Sequence, residues 1–308
     1  ASLPLDLLLS PWALAVLGLM VGSFLNVVIH RLPLMLERQW WGDAAAQLGD
    51  GDSFKRVFGN NPPERLALAA GGLEKAIAGL GPLGLARPAS RCPACHHRIR
   101  WYQNIPVLSW LALRGKCSAC GTAISVRYPL VELGTAGLFG ALAWTLGPHW
   151  TTLMWCAMAA VLLVLALIDW DTTVLPDLMT QPLLWAGLVA AALGWLPDLP
   201  LIESLWGAAA GYLSLYSVYL LFKLATGKEG MGFGDFKLLA ALGAWLGWKA
   251  ILPIVLMASV IGALIGVLMK LTGSLREGRF VPFGPFLAGG GLVVMLAGLP
   301  RVLAWIGW

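Results

Sequence analysis

Charged side chains are scarce in this sequence. Asp, Glu, Lys and Arg make up 12% of the 308 residues, whereas hydrophobic residues make up 58%. Soluble domains contain about 25% charged and roughly 45 to 50% apolar residues. This composition excludes an ordinary soluble enzyme and predicts an integral membrane protein.

Basic residues are also missing from the start of the sequence. No Lys or Arg precedes Arg31, and no A-x-A site directly follows the first apolar stretch. A cleaved secretory signal peptide has a basic segment before its apolar core and small residues at its cleavage site. The first apolar stretch is therefore expected to be a retained helix.

Long apolar runs are abundant. A helix of about 20 apolar residues crosses a hydrocarbon core of ~30 Å. Eight stretches of this kind cover residues 11–30, 129–147, 150–168, 178–196, 204–224, 234–249, 250–269 and 285–305. Only Gly247-Trp248-Lys249 separates the sixth from the seventh, so seven spans are the alternative. The sequence predicts an all-α polytopic membrane protein with about eight transmembrane helices.

The basic residues predict how these helices are oriented. If both termini lie outside, 19 of the 21 Lys and Arg residues lie in the inner loops or at the inner ends of the apolar stretches, and only Lys249 and Arg301 are exceptions. This bias follows the positive-inside rule. Tryptophan agrees with it, because ten lie near predicted outer ends, as in an interfacial belt: Trp12, Trp144, Trp150, Trp155, Trp195, Trp206, Trp245, Trp248, Trp305 and Trp308. The net charge of +5 thus reflects topology and attraction to anionic lipid, and nucleic acid is not an expected partner.

A polar segment, residues 31–128, follows the first apolar stretch and is predicted to be cytoplasmic. The expected division is therefore a first helix (1–32), a cytoplasmic domain (33–128) and a seven-helix membrane domain (129–308). Residues 37–89 are rich in Gly, Ala and Pro, so a weakly ordered linker with one short helix near 64–80 is expected there. No internal repeat is apparent.

Four cysteines in the cytoplasmic segment have metal-ligand spacing. Cys92 and Cys95 form one C-x2-C pair, and Cys117 and Cys120 form another 21 residues later. This spacing is typical of a tetrathiolate zinc site, and four protein ligands make such a site structural. Two disulfides or free thiols are the alternatives, and the reducing cytosol disfavours disulfides.

Three nearby or similar residues are not expected to bind the metal. His96 and His97 follow the first pair and are interpreted as solvated neighbours. Cys156 stands alone in the third apolar stretch, where a thiol usually acts as a small core residue.

Two aspartates lie at the cytoplasmic ends predicted for two apolar stretches, one after the third stretch and one at the start of the sixth. Asp169 begins D-W-D-T-T-V-L-P-D, and Asp235 ends G-F-G-D. Ionisable groups at membrane depth cost about 2.5 to 3.5 kcal/mol, so they indicate function. Placed at one depth, the pair can share a proton, with one carboxyl as acid and the other as base. In the structural alternative, these acids cap helices or pair with Lys237 or an arginine.

Six motifs, in this order, resemble a known family. They are G-S-F-L-N-V-V-I-H-R-L-P (22–33), the two C-x2-C pairs, R-Y-P-L-V-E (127–132), D-W-D-T-T-V-L-P-D (169–177), G-K-E-G-M-G-F-G-D-F-K-L (227–238) and P-F-G-P (282–285). Together they resemble the type IV prepilin peptidases, the leader peptidase and N-methyltransferase enzymes of pilus and type II secretion systems. The resemblance covers almost the whole chain.

The resemblance implies a bacterial inner-membrane aspartic protease, and the orientation predicted from the basic residues would make its termini periplasmic. It would remove the short basic leader of prepilins and pseudopilins after a glycine on the cytoplasmic side. It would then methylate the new N-terminal residue, usually phenylalanine, with S-adenosylmethionine. By motif, Asp169 and Asp235 are the catalytic pair.

Other roles follow from the same resemblance, each beside a simpler interpretation. Gly115, before the second cysteine pair, is linked to methyl transfer, although a tight turn explains it equally well. Asp171 and Asp177 are expected to support the pair, or to be a loop charge and a helix N-cap. Glu229 attracts the basic leader or is an exposed loop charge. No strand-associated G-x-G motif of a soluble methyltransferase is present.

Two other classes of protein remain as alternatives. A transporter would carry protons on Asp169 and Asp235, but its acids would usually lie near the bilayer midplane within a pseudo-repeat. An assembly scaffold of a secretion system would need no carboxylate pair. The sequence leaves the oligomeric state open.

Overall fold

The computed structural model describes residues 5–273 and 281–307. Within these ranges the chain is helical, with only two isolated β-bridges, Arg91 with Arg98 and Lys116 with Ala123. The α-helices are α1 Leu5–Leu8, α2 Pro11–Gly49, α3 Gly51–Phe58, α4 Glu64–Ala78, α5 Leu108–Ala112, α6 Arg127–Leu146, α7 Trp150–Thr172, α8 Asp177–Ala192, α9 Leu201–Thr226, α10 Phe233–Leu246, α11 Ile251–Leu271, α12 Gly284–Ala297 and α13 Leu299–Trp305. The predicted all-α class is confirmed.

Five described helical segments are long and apolar enough to cross a membrane: α2, α6, α7, α9 and Trp248–Leu271, which includes α11. The pair α12 and α13 would be a sixth span, but it bends by 111° after Ala297. Each of the eight predicted stretches overlaps a helix, yet α8 has 16 residues and α10 has 14. A straight span needs about 20 residues. The predicted number of eight crossings is therefore not confirmed.

The last predicted stretch differs from expectation because it is broken. Gly298, between α12 and α13, has a φ of +83°, a conformation that side-chain-bearing residues rarely adopt. The stretch 285–305 is thus two helices rather than one straight span. The predicted interfacial Trp308 lies outside the described residues.

The chain divides into two compact units. One comprises residues 1–22 and 130–308, and the other comprises residues 23–129. The division predicted from sequence, with boundaries at 32/33 and 128/129, stays a prediction.

Helix α10 is the buried centre of the first unit. It is apolar around its whole circumference, and the residues from Leu238 to Trp245 are all buried. A helix that is hydrophobic on all sides is stable only inside other helices. Small residues let α9 approach it, because a Cβ on Gly207 would overlap the Gly243 carbonyl. The Ser204 hydroxyl donates a 2.6 Å hydrogen bond to the Ala244 carbonyl.

The start of α2 packs closely on α6 through glycines. A Cβ on Gly18 would lie 2.7 Å from the Ala136 Cα, and one on Gly22 would lie 2.7 Å from the Glu132 Cα. Small residues at membrane helix contacts permit such approach.

The second unit is more ordered than expected in residues 37–89. Helix α2 continues to Gly49, and α3 and α4 follow, so the expectation of a weakly ordered linker is wrong, whereas the helix near 64–80 is confirmed. Arg38 donates hydrogen bonds to the carbonyls of Leu80 (3.0 Å) and Gly81 (2.6 Å), just beyond α4. Arg31 donates to the Gly84 carbonyl at 2.9 Å. These guanidinium groups tie α2 to the chain that follows α4.

Candidate active site and metal centre

Asp169 lies in the last turn of α7, where the chain stops being helical. Thr173 has a left-handed conformation (φ +56°), and its N–H donates a 2.8 Å hydrogen bond to the Asp169 carbonyl oxygen, which caps the helix. Pro176 follows, and the residue before a proline disfavours helix. The Asp169 side chain is left buried, with 5% exposed.

Asp235 lies in the first turn of α10. Gly232 is the extended N-cap residue, and Asp235 is the third residue of the helix. A carboxylate is stabilised at this position by the positive end of the helix dipole. Asp235 is also buried, with 8% exposed.

The fold brings Asp169 and Asp235 together. Their carboxylates are close enough to repel each other electrostatically. Leu175, in the loop after α7, touches the backbone beside both acids. A Cβ on Gly234 would lie 2.7 Å from the Leu175 Cβ, and one on Gly284 would lie 3.0 Å from the Leu175 Cδ1. Two residues 66 positions apart in sequence therefore share one buried site.

Gly284 belongs to this site and was not predicted to. Its N–H donates a 3.1 Å hydrogen bond to Asp169 Oδ2 from the first residue of α12. Helix N-termini bind anionic groups through such N–H groups. A Cβ on Gly284 would lie 2.5 Å from the same Oδ2, so a larger residue there would displace the Asp169 carboxyl group. The only signal in the sequence was P-F-G-P, which carried no role of its own.

An aromatic cluster packs around Phe236, the residue that follows Asp235 in α10. Phe236 is fully buried, and its ring centroid lies 5.7 to 6.1 Å from those of Tyr212, Tyr216 and Tyr219 on α9. Phe233 packs on Phe236 at 5.4 Å. These rings pack the start of α10, which carries Asp235, against α9.

The four predicted cysteines converge in the second unit. The Sγ atoms of Cys92 and Cys120 are 3.8 Å apart, those of Cys95 and Cys117 are 4.0 Å apart, and all four lie within 4.8 Å of one another. Zn–S bonds of about 2.3 Å in a tetrahedron place sulfur atoms about 3.8 Å apart. The cluster can hold a metal ion, and its spacing fits zinc. Among the described residues, the cysteine cluster includes neither His96 nor His97.

The two cysteine pairs are built alike, which reveals a repeat that was not apparent in the sequence. The Cys92 N–H donates to the His97 carbonyl at 2.9 Å, and the Cys117 N–H donates to the Thr122 carbonyl at 2.8 Å. His96 (φ +57°) and Gly121 (φ +72°) hold the same left-handed position after each pair. We call these two turns, residues 90–99 and 115–124, the knuckles. Each knuckle turns its two thiols toward the other knuckle.

A hydrogen bond favours the ionised form of one thiol of the cluster. The Cys120 Sγ lies 3.2 Å from the Thr122 hydroxyl, and this hydrogen bond lowers the pKa of Cys120 to about 6. Thiolates, not thiols, bind metal ions. The Thr122 hydroxyl therefore favours the thiolate form of Cys120, the form in which cysteine binds a metal ion.

Comparisons with known proteins identify the family. Residues 16–146 match the bacterial peptidase A24 N-terminal domain, and residues 156–267 match the type IV leader peptidase family. The chain is 48% identical over 283 residues to the prepilin leader peptidase/N-methyltransferase of Stutzerimonas stutzeri, covering 92% of this chain and 89% of that protein.

This chain belongs to the type IV leader peptidase family. Two further relatives bear the same name. That of Pseudomonas aeruginosa is 46% identical over 282 residues (92% of this chain, 88% of the relative), and that of Aeromonas hydrophila is 47% identical over 281 residues (91% and 88%). No solved structure matches the chain.

Asp177, expected either to support the pair or to cap a helix, forms an ion pair in this leader peptidase. Lys237 Nζ lies 2.7 Å from both carboxylate oxygens of Asp177. Pro176 is the N-cap residue of α8 and Asp177 is its first residue, so the N-cap interpretation is wrong. Because Lys237 is two residues after Asp235, the ion pair between Asp177 and Lys237 ties the start of α8 to the start of α10.

Two other acids of the motifs lie at the surface. Asp171 is exposed. The Glu229 carboxylate accepts a 2.8 Å hydrogen bond from Lys223 Nζ and one of 3.2 Å from the Tyr219 hydroxyl. The Lys223 ammonium holds the pKa of Glu229 below its usual range. Glu229 is thus an exposed and already paired loop charge.

Gly115 occupies the tight turn that leads into the second knuckle. It has a φ of +67°, and its N–H donates a 2.8 Å hydrogen bond to the Trp110 carbonyl. A Cβ there would lie 2.8 Å from the Trp110 ring. The turn alone explains glycine at this position.

Proposed function

We propose that this chain is an inner-membrane aspartic endopeptidase that cleaves the basic leader from type IV prepilins and type II secretion pseudopilins. It then methylates the new N-terminal residue, usually phenylalanine, with S-adenosylmethionine. The family is an aspartic peptidase family, and the relatives named above are prepilin leader peptidase/N-methyltransferases. The observation that carries the proposal is the buried pair of Asp169 and Asp235.

In the proposed reaction, the two aspartates divide acid and base roles. One ionised carboxyl removes a proton from water, and the resulting hydroxide attacks the scissile carbonyl carbon. The other, protonated carboxyl donates its proton to the carbonyl oxygen. Collapse of the tetrahedral intermediate then breaks the C–N bond, and a proton passes to the leaving amine. Gly284 holds one oxygen of Asp169 in place through its N–H.

The depth of the pair suits a prepilin substrate. A prepilin has a basic leader followed by an apolar helix, so its cleavage point lies where membrane meets cytosol. Asp169 ends a membrane-length helix, and Asp235 begins a buried apolar one. The predicted topology, with periplasmic termini and a cytoplasmic domain at 33–128, would put both acids at the cytoplasmic surface.

The metal ion is proposed to be structural zinc. Cys92, Cys95, Cys117 and Cys120 would supply all four ligands, so no coordination position is left for catalysis. Bound zinc would fix the two knuckles against each other. The peptidase reaction needs only the carboxyl groups.

Methyl transfer is proposed from the names of the relatives and from Gly115. S-adenosylmethionine would supply the methyl group to the new N-terminal amine. The described residues contain no β-strand, so they lack the strand and glycine loop that bind this cofactor in soluble methyltransferases. Gly115 is proposed to act through the shape of the turn that it permits.

Alanine at Gly284 is expected to reduce leader release by about 10²-fold, because displacing a catalytic group by about 1 Å costs that much. Its Cβ would collide with Asp169 Oδ2. The initial rate of leader release by purified protein in detergent measures this effect. Gly289→Ala is the matched control, since a Cβ at this position of α12 meets nothing within 4 Å. Equal rates for Gly284→Ala and Gly289→Ala would exclude a positioning role for Gly284.

A single incubation tests the proposed function. Purified protein, a prepilin and S-adenosylmethionine are expected to yield a mature pilin that is shortened by the leader and carries one additional methyl group at its N-terminus. Mass spectrometry of the product measures both changes. An intact prepilin would favour the transporter or scaffold, whereas a cleaved but unmethylated pilin would remove the second activity alone.

A further inference from the structure

The cysteine-containing part of the second unit is unusually basic. Residues 75–129 contain eight Lys and Arg residues and no Asp or Glu, whereas the rest of the chain has 13 basic and 16 acidic residues. The basic residues are Lys75, Arg87, Arg91, Arg98, Arg100, Arg114, Lys116 and Arg127. Four thiolates with one divalent ion would leave this region strongly positive. It therefore favours a negatively charged partner.

Large apolar side chains are exposed between the two knuckles. Trp101 is 82% exposed, Leu108 is 66% exposed and Leu111 is 57% exposed. Tyr102 and Ile105 lie between them and are also exposed. These five exposed apolar side chains lie within 11 residues, on the short helix Trp101–Asn104, on α5 and at Ile105 between them, and we call them the apolar surface. We call residues 98–116 the interfacial segment.

Exposed basic residues flank this apolar surface on both sides in sequence. Arg98 and Arg100 precede it, and Arg114 and Lys116 follow it. None of these four forms an ion pair with any residue in the described part of the chain. The Arg100 guanidinium instead donates a 3.0 Å hydrogen bond to the Tyr102 hydroxyl. The cations are thus available to anions outside the protein.

We propose that the interfacial segment docks on an anionic bilayer surface. Trp101, Leu108 and Leu111 would enter the headgroup region, and the flanking basic residues would bind anionic phospholipid headgroups. Amphipathic segments with Trp and Leu on one side and Lys or Arg beside them bind membranes in this way. Juxtamembrane basic clusters are attracted to anionic lipid.

The connections of the second unit favour lipid over other anionic partners. The segment lies between α2 and α6, both long and apolar enough to span a membrane, so its chain leaves for the bilayer at each end. A prepilin leader is basic and would be repelled by this surface. Nucleic acid would leave Leu108 and Leu111 without an apolar environment.

Amide hydrogen exchange in the full-length protein tests the proposal. The protein is placed in nanodiscs of phosphatidylcholine alone, or with about one third phosphatidylglycerol, a content that gives a negative surface potential. Exchange at residues 101–112 is expected to slow by at least about tenfold in the anionic discs. The triple variant Arg98→Gln, Arg100→Gln, Arg114→Gln is expected to lose most of this protection while keeping its metal content.

A matched variant separates specific docking from the loss of charge. Lys55→Gln, Arg56→Gln, Arg65→Gln removes three exposed basic residues from α3 and α4 and is expected to keep the protection at 101–112. Equal exchange in the two lipids would overturn the proposal. Protection that depends on protein concentration or on added prepilin, and not on lipid charge, would also overturn it, since a second copy or the substrate would then be the occupant.

Discussion

Serine in place of Cys120 is expected to remove the metal ion and to unfold the two knuckles. The short backbone contacts at 90–99 and 115–124 are isolated bridges, and these knuckles contain no strand or α-helix among the described residues. Structural zinc contributes about 10 to 16 kcal/mol of apparent binding free energy in small zinc domains, so little would replace it. Metal analysis is expected to find one zinc ion per reduced, intact wild-type chain and less than about one tenth of that in Cys120→Ser.

Cys156→Ala is the matched control for this experiment. Cys156 is 1% exposed, lies in α7 and is not part of the cysteine cluster. Its replacement is expected to leave the metal content unchanged. Limited proteolysis should cut Cys120→Ser between residues 90 and 125 and leave the control intact there. A reduced wild-type protein without metal would contradict the zinc proposal.

The cysteine cluster was predictable because its information is local. A C-x2-C pair positions two thiols by the geometry of one turn, so the spacing alone predicts two half-sites. The similarity of the two knuckles was not predictable. His96 and Gly121 hold the same left-handed conformation, yet they share no side-chain chemistry.

The meeting of Asp169 and Asp235 was predictable in part. Asp169 follows the end of one apolar stretch and Asp235 lies at the start of another, and the distribution of Lys and Arg assigned both positions to one side. The contacts that orient the carboxyl groups were not predictable. Gly284 is 115 residues from Asp169, and its hydrogen bond depends on where α12 begins in three dimensions.

Helix ends were the least predictable part of the fold. Apolar stretches marked the positions of the helices, but Arg31 and Arg38 lie inside α2, which continues for 18 residues beyond Arg31. Their guanidinium groups bond to carbonyls beyond α4, some 40 to 50 residues away, so α2 tolerates them. A hydropathy pattern does not reveal such a distant partner.

The break at Gly298 was not predicted for a related reason, since the stretch around it is apolar throughout.

Asparagine at Asp169 or at Asp235 is expected to reduce leader release by at least about 10³-fold, because general acid or base catalysis contributes about 10² to 10⁴-fold. The amide keeps the size of the carboxyl group but can neither accept a proton from water nor donate an acidic proton. Both side chains are buried, so free carboxylates from solvent cannot replace them. Each single variant should therefore lose nearly all activity.

Asp198→Asn is the control, because Asp198 is exposed in the loop between α8 and α9. It is expected to cleave at the wild-type rate. Thermal unfolding of all variants shows whether each remains folded. A variant that is folded but inactive shows that its missing carboxyl group acts in the reaction and does not merely stabilise the fold.

The most direct test of the proposed dyad is a side-by-side assay of leader release from one prepilin by wild type, Asp169→Asn, Asp235→Asn and Asp198→Asn. Wild type and Asp198→Asn are expected to release the leader at the same rate, and the two dyad variants are expected to leave the prepilin intact while unfolding at the wild-type temperature. Cleavage at the wild-type rate by either dyad variant would contradict the dyad.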